Sequence, residues 1–180
     1  ATSWAVQHVG AGATYYGTLN STGQFNTATS LWNDTTPTDT VFSLGTDGDV
    51  NNSTGTYIAY VFCDVPGYSK MGGFDGTSNA DGHFLYMGFR PAFFLVKRRD
   101  AANKNWAMWD NKRDPYNVAT TALWADVDGS ETSSGYKIDF CSNGVKIREN
   151  HGDWNTGEMV YMAFAKSPIV SSNDIPGVAR

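Results

Sequence analysis

The sequence is poor in charged residues and has no long apolar run. Charged residues make up 17% of its 180 residues, and the formal net charge is −5. Proteins that bind nucleic acids usually show a basic face, so we expect no nucleic-acid partner. A membrane-spanning helix needs about 20 consecutive apolar residues, and no segment approaches that length, so we expect no membrane partner.

Recognisable catalytic and metal-binding motifs are also missing. The three histidines share no metal-ligand spacing with one another or with the cysteines. The nucleophile-elbow, phosphate-loop and dinucleotide-binding patterns are absent, and no carboxylate pair stands out as a glycosidase dyad. Most aspartates lie in turns, where they commonly cap the backbone. We therefore predict that the protein is not an enzyme and carries no cofactor and no metal.

One turn has a faint likeness to a calcium-binding loop. TDGDVNN (46–52) offers oxygen ligands at Asp47, Asp49 and Asn51. The glutamate that completes an EF-hand is missing, because Ile58 stands at its position. A calcium site of another kind stays open.

Cysteine is scarce, and its two positions, Cys63 and Cys141, both lie inside apolar runs. We interpret them as free, buried thiols that behave as small hydrophobic side chains. A disulfide between them stays open, because the sequence does not give the distance between their Cα atoms.

What the sequence does contain is strand signals without helical periodicity. The β-rich runs, separated by turn clusters at 46–55, 75–82 and 126–135, are 4–8, 56–62, 83–87, 92–96, 106–110 and 158–164. They predict an all-β fold of two antiparallel sheets packed as a β-sandwich, with a lectin-like jelly roll as one form of it. The aromatic residues expected between the sheets are Phe42, Tyr57, Phe62, Phe84, Phe93, Phe140 and Phe164.

The two halves of the chain resemble each other. Trp4-Ala5 matches Trp106-Ala107 at an offset of 102, and TGTYIAYVF (54–62) matches TGEMVYMAF (156–164) at the same offset. Between these, VFSLGTDG (41–48) aligns with DFCSNGVK (139–146), and Leu19 aligns with Leu123. Offsets that drift and then return are typical of loop insertions between matched strands. The sequence thus predicts a repeat of about 100 residues, with a partial first unit (1–67), a complete second unit (68–168) and a C-terminal tail (169–180).

The stretch YMGFRPAFFLVKR (86–98) has no counterpart in the first unit. It precedes the tryptophan strand of the second unit, so its counterpart would lie before Ala1. Three explanations are open: an upstream part of a longer chain, a strand supplied by a neighbouring subunit, or a single sandwich built without that strand. We favour the first.

Two tryptophans in turns suggest a sugar-binding surface. Trp32 lies in SLWND (30–34), and Trp154 lies in HGDWNTG (151–157). An exposed indole ring stacks on the apolar face of a sugar, while a neighbouring carboxylate accepts hydrogen bonds from hydroxyl groups. The candidate glycan contacts are therefore Trp32, Asp34, Asp153 and Trp154. The alternative is that both rings cover the ends of the sandwich as local packing.

Seven phrases occur together in one order along the chain. They are VFSLG followed by TYIAYVF (41–45 and 56–62), VPGYSKMGGFDG (65–76), DGHFLYMGFRPAFFLVKR (81–98), DNKRDPYN (110–117), DFCSNGVKIR (139–148) and MVYMAFAKSP (159–168). The series resembles a repeat domain of structural proteins of tailed bacteriophages and prophages, such as tail-fibre proteins. In that family the repeats usually sit near the C-terminus of longer polypeptides.

The resemblance implies a non-enzymatic virion structural protein at the surface of the particle, in a fibre, an appendage or a capsid decoration. The implied partners are other virion proteins and further copies of the chain in a homo-oligomer, which would be a trimer by analogy with such appendages. A carbohydrate-binding module for host-surface glycans is the alternative. A β-sandwich glycan hydrolase is a third hypothesis.

Overall fold

Residues 3–167 form three antiparallel sheets and two helices of a single turn, so the fold is all-β. The structure is a computed structural model that describes residues 3–167. In chain order its elements are β1 (Ala5–Val6), β2 (Tyr15–Thr18), β3 (Asn26–Thr27), α1 (Thr29–Trp32), α2 (Gly48–Asn51), β4 (Ser69–Thr77), β5 (Phe84–Tyr86), β6 (Pro91–Arg98), β7 (Ala107–Asp110), β8 (Leu123–Trp124), β9 (Ile138–Cys141), β10 (Gly144–Ile147) and β11 (Thr156–Ala165).

A five-stranded sheet in the order β4-β11-β6-β7-β8 forms the centre of the molecule. One of its faces packs against the three-stranded sheet β5-β10-β9, and this core includes Phe94, Trp109 and Phe140. The other face packs against the β1-β2-β3 layer through Phe25, Leu95 and Val160, among others. The antiparallel sheets that face each other are consistent with a β-sandwich.

The run AFFLV (92–96) is apolar throughout because β6 is covered on both faces. Phe94 and Val96 point into the core shared with β5-β10-β9, whereas Leu95 points towards the β1-β2-β3 layer. A strand buried on only one side would alternate apolar and polar residues instead. β11 has the same character: Met159 and Val160 belong to opposite cores.

A fully buried asparagine ties several loops to the end of the central sheet. The amide nitrogen of Asn155 donates to the carbonyl oxygens of Asn79 at 2.7 Å and of Glu149 at 2.9 Å. Its side-chain oxygen accepts a hydrogen bond from the backbone N–H of Thr77 at 3.2 Å. Buried polar groups in proteins are normally paired in this way, so Asn155 fixes how these segments leave β4 and β10.

The histidine of the first strand region is also paired at both ring nitrogens. Nε2 of His8 lies 3.0 Å from the carbonyl oxygen of Tyr161, and Nδ1 accepts a hydrogen bond from the backbone N–H of Gly10 at 3.0 Å. Since a carbonyl only accepts, Nε2 carries the proton and the ring is neutral. Burial lowers the pKa of His8 to about 4. The ring thus joins the β1-β2-β3 layer to β11.

The segment 56–62 departs from the predicted fold. Its sequence predicts a strand, but it forms none, and every residue from 51 to 64 is exposed. The prediction is wrong there because a strand needs a neighbour, and no backbone group of 56–62 is hydrogen-bonded to any residue within 3–167. The other five β-rich runs overlap β1, β5, β6, β7 and β11.

The predicted set of core aromatics is confirmed only in part. Phe140 is buried, and Phe93 and Phe164 are partly buried. Four others are exposed, namely Phe42, Tyr57, Phe62 and Phe84. Phe84 is exposed because it lies on the outer face of β5, where Leu85 takes the inward position.

Both cysteines are free, as expected, but their burial differs from the prediction. Cys141 is partly buried, whereas Cys63 is exposed because it follows the unpaired segment 56–62. The described helices lack the length and hydrophobicity needed to cross a bilayer. The predicted C-terminal tail, 169–180, lies outside the described residues.

Candidate functional site

The first tryptophan of the predicted sugar site is packed inside the protein. Trp32 ends α1 and is only 7% exposed. It forms a small core with Leu31 and Val50 beneath β1 and β2. The expectation that its ring faces solvent is therefore wrong, and the ring offers no stacking face to a sugar.

Asp34, by contrast, is exposed and lines a cleft of about 350 Å³. Asn33 and Asp34 both have positive φ, which turns the chain sharply after α1. The carboxylate of Asp34 accepts a hydrogen bond from the hydroxyl of Thr29 at 2.9 Å. Thr14 and Thr27 line the same cleft. Three hydroxyl groups and a carboxylate can exchange hydrogen bonds with a polyhydroxyl ligand.

The second tryptophan is more deeply buried than the first. Trp154 is fully buried, and its ring lies 5.2 Å from that of Trp109 in an edge-to-face contact and stacks on Tyr136 at 6.3 Å. Exposure of Trp154 is therefore also wrongly predicted. The indole ring of Trp154 points inwards and closes the end of the core between the two sheets. This agrees with the alternative that the ring serves as local packing.

Asp153 takes part in a partly buried network of charges. Its carboxylate pairs with the ammonium group of Lys104 at 3.0 Å. The ammonium group of Lys97 is buried nearby and donates to the backbone carbonyl of Lys104. Burial lowers the pKa of Lys97 to about 8, although Asp126 and Asp153 act in the opposite direction. The same burial effect raises the pKa of Asp126.

The four predicted glycan contacts do not form one site. Trp32 belongs to the small core beneath β1 and β2, whereas Trp154 belongs to the core between the two sheets. Of the four, only Asp34 combines exposure with a position in a cleft. Sequence reasoning missed Thr14, Thr27 and Thr29, since isolated threonines carry no motif.

A second cleft, of about 310 Å³, opens where the layers meet. It is lined by Gly10, Gly73, Arg99 and Glu158, among others. The guanidinium group of Arg99 pairs with Glu158 at 2.5 Å and lies 5.0 Å from the centre of the Tyr15 ring. Because Arg99 and Glu158 pair with each other, neither charge is free to bind a ligand in this cleft.

The structure offers no arrangement for a metal among residues 3–167. No group of three His, Cys, Asp or Glu residues there is placed to hold an ion. In the turn that faintly resembles a calcium loop, Asp47 instead caps α2, accepting a hydrogen bond from the backbone N–H of Asp49 at 2.9 Å. Its other carboxylate oxygen accepts from the hydroxyl of Ser30 at 3.3 Å.

The most unusual surface is residues 54–62, which end in six consecutive apolar residues, 57–62, and are called the apolar segment below. Ile58, Tyr60 and Val61 are 68%, 65% and 70% exposed. The ring of Tyr60 stacks on that of Trp4 at 6.1 Å, which holds the segment beside β1. Upstream, Val41, Phe42 and Leu44 are exposed as well. Soluble monomers rarely expose so many large apolar side chains together, so this surface is a candidate for contact with a partner.

Comparison with models of protein families assigns the chain to a family. The model of a domain of unknown function (DUF7483) matches residues 1–168. The chain belongs to the DUF7483 family. This DUF7483 match runs through both predicted units. Curated proteins and solved structures yield no match to the chain.

For this DUF7483 chain, two features therefore stand out. The threonine-lined cleft at Asp34 suits small polar ligands, and the apolar segment 54–62 suits another polypeptide. Around Asp153, only Lys104 forms an ion pair with it, whereas Lys97 donates to a backbone carbonyl and one carboxylate oxygen of Asp126 has no hydrogen-bond partner within residues 3–167.

Proposed function

We propose that this DUF7483 chain is a non-enzymatic structural protein of a tailed-phage particle, in a fibre, an appendage or a capsid decoration. The observation that carries the proposal is the exposed apolar segment 54–62, in which the backbone groups of 56–62 have no hydrogen-bond partner within the described part of the chain. Such segments are a cost in an isolated protein and an advantage in one that works by joining other polypeptides. The phage class rests on the series of sequence phrases that resembles virion repeat domains.

The proposed partners are other virion proteins and further copies of the chain, with a trimer as the first expectation by analogy. The proposed location is the surface of the particle.

Immunogold electron microscopy on particles from the source tests the proposal, with an antibody raised against this chain. We expect gold on the particles, and its position on capsid or fibre assigns the role. Unlabelled particles, with the protein detected in the lysate by the same antibody, would contradict a virion role. The matched control is the pre-immune serum on the same grids.

A carbohydrate-binding module is the second candidate, and the threonine-lined cleft at Asp34 favours it. Binding of the purified chain to a glycan array would be compared with that of Asp34→Ala. Asp39→Ala is a suitable control, because Asp39 is exposed and does not line that cleft. Binding that survives Asp34→Ala removes this cleft as the glycan site. Replacing Trp32 or Trp154 would test folding instead, since both rings are buried.

We also infer that the fold contains the internal repeat, since two hairpins have equivalent registers. Ala5 pairs with Thr18 in β1–β2, and Ala107 pairs with Trp124 in β7–β8. In both hairpins the carbonyl of the tryptophan before the first strand accepts a hydrogen bond from the residue after the second: Leu19 to Trp4 at 2.9 Å, and Ala125 to Trp106 at 3.1 Å. Leu19 thus corresponds to Ala125, two residues from the alignment that the sequence suggested.

A jelly roll is the finer architecture that we propose for the second unit. β4 pairs with β11 and β5 pairs with β10, so early strands pair with late strands in nested order. Nested pairing of this kind is a feature of Greek-key connections.

A further inference from the structure

Two backbone edges of the first unit are unoccupied among residues 3–167. β1 pairs with β2 on one side and with no strand on the other. The apolar segment 54–62 forms no strand, although its sequence matches β11. In the second unit, the counterparts of these two elements are β7 and β11, and both are paired on that side by the same strand, β6.

The second unit therefore shows what the first unit lacks. β6 lies between β11 and β7, and β4 lies on the far side of β11. With an offset of 102 residues, Tyr161 of β11 corresponds to Ala59, and Ala107 of β7 corresponds to Ala5. Tyr161 and Ala107 both face Val96 of β6. Ala59 and Ala5 would thus flank one and the same residue of an inserted strand.

The side chains are already arranged for this insertion. Trp106 and Met162, which correspond to Trp4 and Tyr60, belong to the same apolar core. Trp4 and Tyr60 likewise stack on each other. The exposed residues Phe42 and Tyr57 correspond to Phe140 and Met159, both buried between the sheets of the second unit.

We propose that the edges of β1 and of residues 54–62 bind a segment of the same kind as residues 68–103, carried ahead of residue 1 on the same polypeptide. A strand like β6 would insert between β1 and 54–62, and a strand like β4 would pair with the outer edge of 54–62. Phe42 and Tyr57 would then become core residues of a complete first unit. The proposal is independent of where the protein acts.

A second copy of the chain is the poorer source of these strands. In each copy, Phe94 and Val96 of β6 are fully buried, so donating β6 would unfold the donor. A segment preceding β1 has the shorter route, since β6 and β7 of the second unit are joined by residues 99–106 alone. Strands that follow each other in sequence are usually neighbours in the sheet.

Hydrogen exchange on the full chain, with and without a copy of residues 68–103 fused ahead of residue 1, tests the proposal. We expect the amides of 56–62 to exchange freely in the chain alone, and their exchange in the fusion to slow by at least about 100-fold. The control fusion carries Phe94→Asp and Val96→Asp in the added copy only, and its 56–62 amides should stay unprotected. Protection of β11 in every sample confirms that the second unit is folded.

Three outcomes would overturn the proposal. One is free exchange of 56–62 in a fusion whose β11 is protected. Another is protection of 56–62 in the chain alone at all concentrations, since the segment would then already have a partner. The third is protection of the chain alone that grows with concentration, which would assign the edges to a second copy. If the fusion precipitates, residues 68–103 are added to the chain as a separate peptide. The amides of 56–62 should then become protected from hydrogen exchange, and the protection should reach a plateau as the peptide concentration rises. Free exchange of these amides at the highest peptide concentration counts against the proposal.

Discussion

Replacing Asn155 by alanine should destabilise the protein well beyond the usual cost of a surface mutation. The side chain of Asn155 is fully buried and makes hydrogen bonds with Thr77, Asn79 and Glu149. Asn155→Ala leaves one backbone N–H and two carbonyl oxygens without these partners. A polar group that loses its partner costs about 1–3 kcal/mol where it is buried, and water recovers part of that here because Thr77 and Asn79 are exposed residues. We expect a loss of about 3 kcal/mol in the free energy of unfolding.

Urea denaturation followed by tryptophan fluorescence measures this loss. For a domain of this size, 3 kcal/mol corresponds to a fall in melting temperature of roughly 6–12 °C. The matched control is Asn150→Ala: Asn150 is exposed, and its change should stay within about 0.5 kcal/mol. A loss below about 0.5 kcal/mol for Asn155→Ala, with an unchanged m-value, would refute the reasoning that these hydrogen bonds hold the loops.

Three further predictions follow from burial and charge. Phe94→Ala should cost about 3–5 kcal/mol in urea denaturation, because the fully buried ring contacts Trp109 and Tyr161; a cost under 1 kcal/mol would contradict the assigned core. The pKa of His8 is lowered to about 4, so between pH 6.5 and 4 the unfolded chain binds a proton that the folded chain does not. The free energy of unfolding should therefore decrease by up to ~3 kcal/mol as the pH is lowered from 6.5 to 4. His8→Gln should remove this pH dependence, and an identical pH profile in the variant would refute it. Val61→Asp in the chain alone should change stability by less than about 0.5 kcal/mol, whereas Ala163→Asp at the corresponding position of β11 should cost more than about 4 kcal/mol; similar melting temperatures for the two variants would count against the difference in burial.

The sequence predicts the central strands well, because a long β-rich run bounded by turn residues is compatible with few other structures. β6 and β11 are long β-rich runs bounded by turn residues, and both form as expected. The sequence pattern does not predict the hairpin β9–β10. Its two-residue loop, Ser142-Asn143, is followed by Gly144, so common turn residues mark it but the long β-rich runs do not.

The segment 54–62 shows where pattern reasoning stops. Its sequence resembles that of β11, yet β11 forms a strand and 54–62 does not. The difference lies in the neighbours, which a local pattern does not contain. The prediction that Trp32 and Trp154 face solvent is wrong for a similar reason. Turn residues around Trp32 and Trp154 indicate a bend but not the side to which the ring turns, and both rings turn inwards.

The position of β11 in the sequence also delays completion of the central sheet during synthesis of the chain. β6 is buried on both faces, but β11, one of its two neighbours in the sheet, begins at Thr156, 58 residues after β6 ends at Arg98. At about 5–20 residues per second, the ribosome needs roughly 3–12 seconds to supply that strand. Throughout this interval the apolar run 92–96 has an open edge and a core that is incomplete. The nascent chain is therefore most vulnerable to aggregation, and most open to chaperones, between the emergence of β6 and the arrival of the last strand.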